Sequence, residues 1–178
     1  MTDLWVFGYG SLLWDPGFPV AETRVARLLD WHRSFCMSSI HHRGTPEAPG
    51  LVLALDHKPG AICHGIAFRV AAPHAADTLA YLRERELVSS AYLETRQRVV
   101  FADGGQQDDV LTYVIDPAHV QYCTLTLEEQ ARIIARAVGG RGPNDAYLNN
   151  TARHLHALGL PDPDLDWLVA RVRTLQSA

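Results

Sequence analysis

The sequence predicts an α+β fold in which strands come first and helices mostly later. Apolar segments of strand composition fill most of the chain up to about residue 115, interrupted by one stretch with helical spacing. The last third carries helix-capping patterns instead. A chain of 178 residues suits one compact domain. We therefore expect a single domain over residues 1–178, on which helices from about residue 126 pack.

The strand candidates share apolar, β-branched or aromatic residues and are bounded by glycine or proline. They are residues 4–7, 24–40, 51–55, 62–70, 92–102 and 110–115. The first ends at Gly8-Tyr9-Gly10-Ser11, which predicts a tight turn after a buried strand. Pro59-Gly60 predicts a hairpin between the third and fourth candidates. A further turn is expected at Gly104-Gly105.

The helix candidates combine helical spacing with recognisable ends. They are residues 73–87, 126–138, 143–159 and 164–175. Pro73 and Pro143 each suit the first turn of a helix. Thr126 and Glu129 form a capping-box pattern. Glycines at 139, 140 and 142 end the second helix, and Gly159 ends the third.

Charge and composition exclude several classes of function. The formal net charge is −4 and the basic residues are scattered, so nothing predicts nucleic-acid binding. The apolar stretch 4–14 is interrupted by glycine and is too short to cross a bilayer. Asp3 stands where a secretory signal would carry bases. Three cysteines cannot all pair within one chain, which favours a reducing compartment. We expect a cytoplasmic protein without membrane contact.

The loop Gly8-Tyr9-Gly10-Ser11-Leu12-Leu13 is the first candidate site. It is not a dinucleotide fingerprint, because Leu13 stands at the position of the third glycine and no helix pattern follows. Nor does it have the glycines of a nucleophile elbow. Two interpretations stay open. The loop is a structural glycine turn, or its backbone N–H groups bind a carboxylate or an oxyanion.

Glu86 is the second candidate. On the helix at 73–87 it falls between Leu79 and Leu82, on the apolar face, while Glu84 and Arg85 are expected to be solvated. Burial disfavours a carboxylate and would raise its pKa, which suits a general base near neutral pH. The alternative is an acid at a helix end that pairs with an arginine.

Arg43 is a third candidate, either as a clamp for a substrate carboxylate or as a solvated loop residue. The histidines beside it do not predict a metal site, since no matching ligands follow His41 and His42 at suitable spacing. His154 and His156 lie two residues apart on a predicted helix and cannot face one ion. We expect neither a metal nor a cofactor.

Six motifs along most of the chain carry a family resemblance. They are residues 5–14 (WVFGYGSLLW), 42–46 (HRGTP), 63–69 (CHGIAFR), 81–86 (YLRERE), 142–148 (GPNDAYL) and 158–163 (LGLPDP). Taken in this order, they resemble the ChaC-type γ-glutamylcyclotransferases, which act on glutathione. Leu12 agrees with the ChaC branch, whereas the broader cyclotransferases usually have asparagine at that position. Residues 87–91 depart from the glycine-rich sequence expected after the catalytic acid.

This resemblance implies a fold and a set of site residues. It implies a γ-glutamylcyclotransferase-like fold, a small mixed β-barrel with flanking helices. The loop Gly8, Tyr9, Gly10, Ser11, Leu12 and Leu13 would bind the γ-glutamyl group, and Glu86 would accept a proton. Arg43 and Tyr147 are added as substrate contacts because of their loop position and polarity.

The implied reaction converts glutathione to 5-oxoproline and Cys-Gly by attack of the glutamyl α-amine on its own γ-carbonyl, without a cofactor. Two alternatives stay open. The enzyme acts on other γ-glutamyl amino acids or amines, or the chain is an inactive γ-glutamyl-binding or regulatory protein. The residues leave the oligomeric state open, and a monomer is compatible with them.

Overall fold

The computed structural model describes residues 2–87, 90–160 and 162–178. Its strands are β1 (Leu4–Gly8), β2 (Glu22–Ser39), β3 (Gly50–Val70), β4 (Tyr92–Phe101), β5 (Gln106–Ile115), β6 (Val138–Gly139) and β7 (Gly142–Pro143). Its helices are α1 (Ala72–Glu86), α2 (Leu127–Ile134), α3 (Asn144–Ala157) and α4 (Pro163–Ser177), with a short 3-10 helix at Ser11–Leu13. Of the motifs above, 158–163 includes Pro161, and the segment 87–91 includes Val88 and Ser89. These three residues lie outside the described part.

Strands β1 to β5 form a closed barrel in the order β1-β3-β2-β4-β5. The pairs β1–β3, β2–β4 and β4–β5 are antiparallel. The barrel closes through a parallel contact of β1 with β5, where Val6 lies opposite Leu111. The sheet is therefore mixed, as the family resemblance implies. Because closure pairs the outer strands with each other, it removes exposed strand edges.

The chain divides into two compact units. The first comprises residues up to Ser34 and Ala54–His119, and holds β1, α1, β4, β5 and most of β2 and β3. The second comprises Phe35–Leu53 and Val120–Ala178, and holds the ends of β2 and β3 together with α2, α3, α4 and the β6–β7 hairpin. The expectation of one domain over the whole chain stays a prediction.

Among the described residues, two hydrophobic clusters lie in the first unit. Alternate residues of β1 enter different clusters, since successive side chains of a strand point to opposite faces. Phe7 belongs to one cluster, with Leu55. Val6 belongs to the other, with Leu111 and with Leu82 of α1. Helix α1 is thus held against the same apolar residues that border the end of β1.

In the second unit, the cap that the sequence predicts at the start of α2 is present. The Thr126 hydroxyl accepts the Glu129 N–H, and the Glu129 carboxylate accepts the Thr126 N–H, so the predicted capping box is present. Helix α2 ends at Ile134, earlier than predicted, because residues 138–143 form the short β6–β7 hairpin. No helix within the described ranges has both the length and the apolar character needed to cross a membrane.

The predicted hairpin at Pro59-Gly60 is wrong. Strand β3 runs without interruption from Gly50 to Val70. Gly60 has a left-handed backbone (φ +89°), and its N–H donates to the Asp30 carboxylate at 2.9 Å. Asp30 of β2 is also left-handed, with φ +72°. The glycine therefore serves an irregularity inside a long strand next to β2, and does not reverse the chain.

Packing of α1 on the barrel predicts a large cost for shortening Leu82, whose side chain is 0% exposed. We expect Leu82→Ala to lower the free energy of unfolding by about 2–5 kcal/mol, because it leaves a cavity in the apolar cluster. Leu93→Ala is the matched control, since Leu93 is 44% exposed, and should change stability by less than about 0.5 kcal/mol. Urea unfolding of the two variants measures the difference, and equal losses would contradict it.

Candidate active site

The candidate loop begins where Gly8 of β1 and Gly65 of β3 leave no room for a Cβ atom. Gly8 lies opposite Ile66 in the antiparallel register. A Cβ atom at Gly8 would lie 2.8 Å from the Phe68 ring, and one at Gly65 would lie 2.4 Å from the Gly8 carbonyl oxygen. Side chains do not fit at these distances, so both glycines are required by close packing. This contact sets where the loop leaves the barrel.

Tyr9 is anchored at its backbone and at its side chain. The Arg33 Nε–H donates to the Tyr9 carbonyl at 2.8 Å, and the Arg33 guanidinium also donates to the His64 carbonyl. The Tyr9 hydroxyl donates to the Tyr113 carbonyl at 2.9 Å. Arg33 is buried and was missed by the sequence analysis, because an arginine in a strand-forming segment carries no local signal of burial.

Residues 11–13 form one turn of 3-10 helix. The Leu13 N–H donates to the Gly10 carbonyl, and the Asp15 N–H donates to the Ser11 carbonyl, both at 2.9 Å. The first N–H groups of such a turn have no partner inside the helix. The Leu12 side chain is buried in the cluster that contains Val6. Leu12 therefore holds the turn on the core, and only its backbone is suited to bind a ligand.

Glu86 is the last residue of α1, one turn after the buried Leu82. Its side chain is 16% exposed, in agreement with its predicted place on the apolar face. The Arg85 side chain is 14% exposed, and its Nε lies 3.4 Å from Glu86 Oε1. The expectation that Arg85 is solvated is wrong, because its guanidinium is used by the loop.

The Arg85 guanidinium joins α1 to the residues that follow β1. Nη2 donates to the Ser11 hydroxyl at 3.1 Å. Nη1 donates to the Asp15 carbonyl at 2.6 Å, to the Pro16 carbonyl at 3.2 Å and to the Tyr81 hydroxyl at 3.1 Å. The same side chain thus contacts the candidate loop and the candidate base, which lie in one compact unit.

A second polar network supports the end of α1. Arg83 binds the Glu94 carboxylate through two bonds of 2.9 Å, and the Tyr113 hydroxyl donates to Glu94 at 2.9 Å. The hydrogen bond from Arg83 lowers the pKa of Glu94. Burial raises the pKa of Tyr113 well above its usual value, and the charges of Glu94 and Glu86 add to this. Tyr113 is therefore a protonated donor at neutral pH.

Comparison with known proteins identifies the family. A family model described as ChaC-like protein matches residues 4–175. The chain belongs to this family. A glutathione-specific gamma-glutamylcyclotransferase of Escherichia coli (strain K12) is 35% identical over 173 residues, which cover 97% of this chain and 74% of the relative. The human glutathione-specific gamma-glutamylcyclotransferase 1 is 31% identical over 159 residues, with coverage of 88% and 71%.

The fold agrees with that of this ChaC-like family. A crystal structure of a gamma-glutamyl cyclotransferase specific to glutathione from yeast superimposes with a TM-score of 0.88 at 21% identity, over 98% of this chain and 97% of that chain. A second gamma-glutamyl cyclotransferase structure gives a TM-score of 0.61 at 18% identity. The predicted γ-glutamylcyclotransferase-like barrel with flanking helices is confirmed.

Arg43 and Tyr147 belong to the second compact unit, whereas Glu86 and the loop at residues 8–13 belong to the first. The Arg43 guanidinium donates to the Pro143 carbonyl at 3.1 Å and lies 5.5 Å from the centre of the Tyr147 ring. Burial lowers the pKa of Arg43. The Tyr147 hydroxyl accepts the Leu53 N–H at 3.2 Å, and its ring meets Phe35 edge to face. Their part in substrate binding stays a prediction.

A metal site is not formed by the part of the chain that the structure describes. No group of three or more His, Cys, Asp or Glu side chains there has an arrangement that could hold an ion.

The network around Glu94 predicts a pH-dependent stability. Since its pKa is lowered in the folded state, its contribution is present above the ordinary glutamate pKa of about 4.3 and is lost as pH falls through the lower folded value. At pH 7 we expect Glu94→Gln to be less stable than the native chain by about 1 kcal/mol. The difference should shrink as pH falls from about 4.3 towards 3. Urea unfolding along this pH series measures it.

Glu84→Gln is the control for this series, because Glu84 is an exposed glutamate of α1 beside Arg83. It should follow the native chain at each pH. A stability difference for Glu94→Gln that stays constant down to pH 3 would show that the charge of Glu94 does not stabilise the fold.

Proposed function

We propose that this chain is a γ-glutamylcyclotransferase that degrades glutathione to 5-oxoproline and Cys-Gly, with Glu86 as the general base. The observation that carries the proposal is the arrangement around Arg85. Its guanidinium binds Ser11 of the loop and lies 3.4 Å from the Glu86 carboxylate. The names of the ChaC-like relatives from Escherichia coli and human support glutathione as the substrate.

The first step of the proposed reaction needs a general base. The α-amine of the glutamyl residue is mostly protonated at neutral pH, and Glu86 accepts one proton from it. The free electron pair on nitrogen then attacks the γ-carbonyl carbon and closes a five-membered ring. Because nucleophile and electrophile belong to one molecule, holding glutathione folded back on itself provides an effective-molarity advantage.

The second step breaks the bond between the γ-carbon and the cysteine nitrogen. Negative charge collects on the former carbonyl oxygen before this bond breaks, and the backbone N–H groups at the start of the 3-10 turn (Ser11–Leu13) are donors suited to such a charge. The proton held by Glu86 passes to the cysteine nitrogen as this bond breaks. Glu86 then takes the second proton from the ring nitrogen and passes it to the released amine, so that 5-oxoproline leaves as a neutral lactam and Cys-Gly leaves with an ammonium group. Atoms and charge balance without a metal, a nucleotide or a covalent intermediate.

The remaining site assignments belong to the same proposal. The γ-glutamyl group is proposed to bind to the loop after β1, where Leu12 contributes through its backbone. The loop residues are Gly8, Tyr9, Gly10, Ser11, Leu12 and Leu13. Arg43 and Tyr147 are proposed to contact the substrate as well. We place the activity in the cytoplasm, where thiols are kept reduced, since glutathione and the three cysteines of this chain are thiols.

Glu86→Gln tests the role of the base. The amide keeps the shape of the side chain but accepts no proton, so turnover should fall by more than tenfold, beyond about 1.4 kcal/mol of barrier, while glutathione still binds. The purified chain is incubated with reduced glutathione, and 5-oxoproline and Cys-Gly are quantified by mass spectrometry. The two products should grow equally with the native chain, and at less than a tenth of that rate with Glu86→Gln.

Glu84→Gln is the matched control, because it makes the same change two residues earlier on an exposed position of α1. It should keep native turnover. Residual activity of Glu86→Gln within tenfold of the native chain would contradict the base role. Product from γ-glutamyl-alanine but not from glutathione would move the enzyme to other γ-glutamyl substrates. Silence with every γ-glutamyl donor would favour a binding protein.

A further inference from the structure

We propose that Arg85 is a positioning residue that holds the segment from Ser11 to Gly17 against the end of α1 and orients the Glu86 carboxylate. The inference rests on the proposed function only in that Glu86 is taken as the base. The link between segment and helix is a separate claim about structure, and it is testable without any activity.

Hydrogen bonds of the Arg85 guanidinium point to this role. Nη1 donates to the carbonyl oxygens of Asp15 and Pro16, and Nη2 donates to the Ser11 hydroxyl. Guanidinium is planar and carries its donors in a fixed fork, so it fixes the direction of its partners as well as their distance. A segment held at both of its ends by one rigid group has little freedom to move away from α1.

Charge gives the second reason. Glu86 is the last residue of α1, where the partial negative charge of the helix end disfavours a carboxylate. Neighbouring side chains on a helix normally point in different directions. Here Arg85 Nε nevertheless lies 3.4 Å from Glu86 Oε1, with both side chains largely buried. The positive charge of Arg85 therefore offsets the unfavourable position and draws the carboxylate towards the loop.

Tyr81 completes the attachment. Its hydroxyl accepts a hydrogen bond from Arg85 Nη1 at 3.1 Å. At Gly17, which has φ +74°, a Cβ atom would lie 2.1 Å from the same hydroxyl. The far end of the segment thus rests directly on Tyr81, and Tyr81 in turn is bound to Arg85. The end of α1 therefore binds the segment through Tyr81 and Arg85 and also carries the Glu86 carboxylate.

Substitutions at Arg85 and Tyr81 separate position from charge. Arg85→Lys keeps the charge, but the lysine ammonium lacks the planar fork of donors that binds Ser11, Asp15 and Pro16. Arg85→Gln removes the charge too. Tyr81→Phe removes a single acceptor. The matched control is Arg98→Gln on β4, since Arg98 is an exposed arginine that pairs with Asp108. Each full-length variant is compared by hydrogen exchange of backbone amides and by kcat and KM for glutathione.

We expect faster exchange in residues 9–17 of both Arg85 variants and unchanged exchange in β4. A misplaced base and loop should lower kcat by about tenfold to a hundredfold and raise KM, with Arg85→Lys rescuing neither fully. Tyr81→Phe should show the same changes to a smaller extent. Arg98→Gln should match the native chain in all of them.

Two results would overturn the inference. One is native exchange in residues 9–17 of Arg85→Gln, which would mean that the segment is held by other contacts. The other is loss of thermal stability in both Arg85 variants with kcat and KM unchanged, which would make Arg85 a structural residue only. A native chain that turns over no γ-glutamyl donor would defeat the proposed function, while the exchange comparison would still decide whether Arg85 holds the segment.

Discussion

The close approach of two backbones at the end of β1 is the constraint on which the site depends. Gly8 and Gly65 let β1 and β3 meet where no Cβ atom fits. Ile66 and Phe68, on the same stretch of β3, then fill the apolar cluster that also receives Leu12. The position at which the chain leaves the barrel, and hence the start of the candidate loop, follows from glycine packing and not from any polar residue.

Helix α1 packs on the same apolar cluster, so this cluster supports both the loop and Glu86. Leu82 buries its side chain among residues of β1 and β5, and the Arg83 and Glu94 pair ties the last turn to β4. At the same helix end, the Arg85 guanidinium binds the Ser11 hydroxyl. Nonpolar packing and polar contacts therefore hold the loop and Glu86 through the same end of α1.

Local signals predict most of the elements and the partly buried position of Glu86. The capping box at Thr126, the apolar run of β1 and the helical face of Glu86 all depend on neighbours in the chain, and the structure agrees with each. Contacts between distant residues carry no such signal. Pro59-Gly60 has the composition of a hairpin turn, but its conformation depends on Asp30 of another strand. Arg33 and Arg85 likewise carry no local signal of burial, because the backbone carbonyls that they bind belong to residues far away in the sequence.

Both arginines donate to main-chain carbonyl groups of the loop region, Arg33 to Tyr9 and Arg85 to Asp15. Such contacts place backbone atoms, and they fit the demands of the proposed reaction. In an intramolecular ring closure the reacting groups already belong to one molecule, so the protein gains most by restricting how that molecule folds. The proposed function asks this of the backbone N–H groups of the loop and of the Glu86 carboxylate. In the proposed function, the two arginines hold the backbone of the loop region, and Glu86 is the residue that accepts and returns the proton.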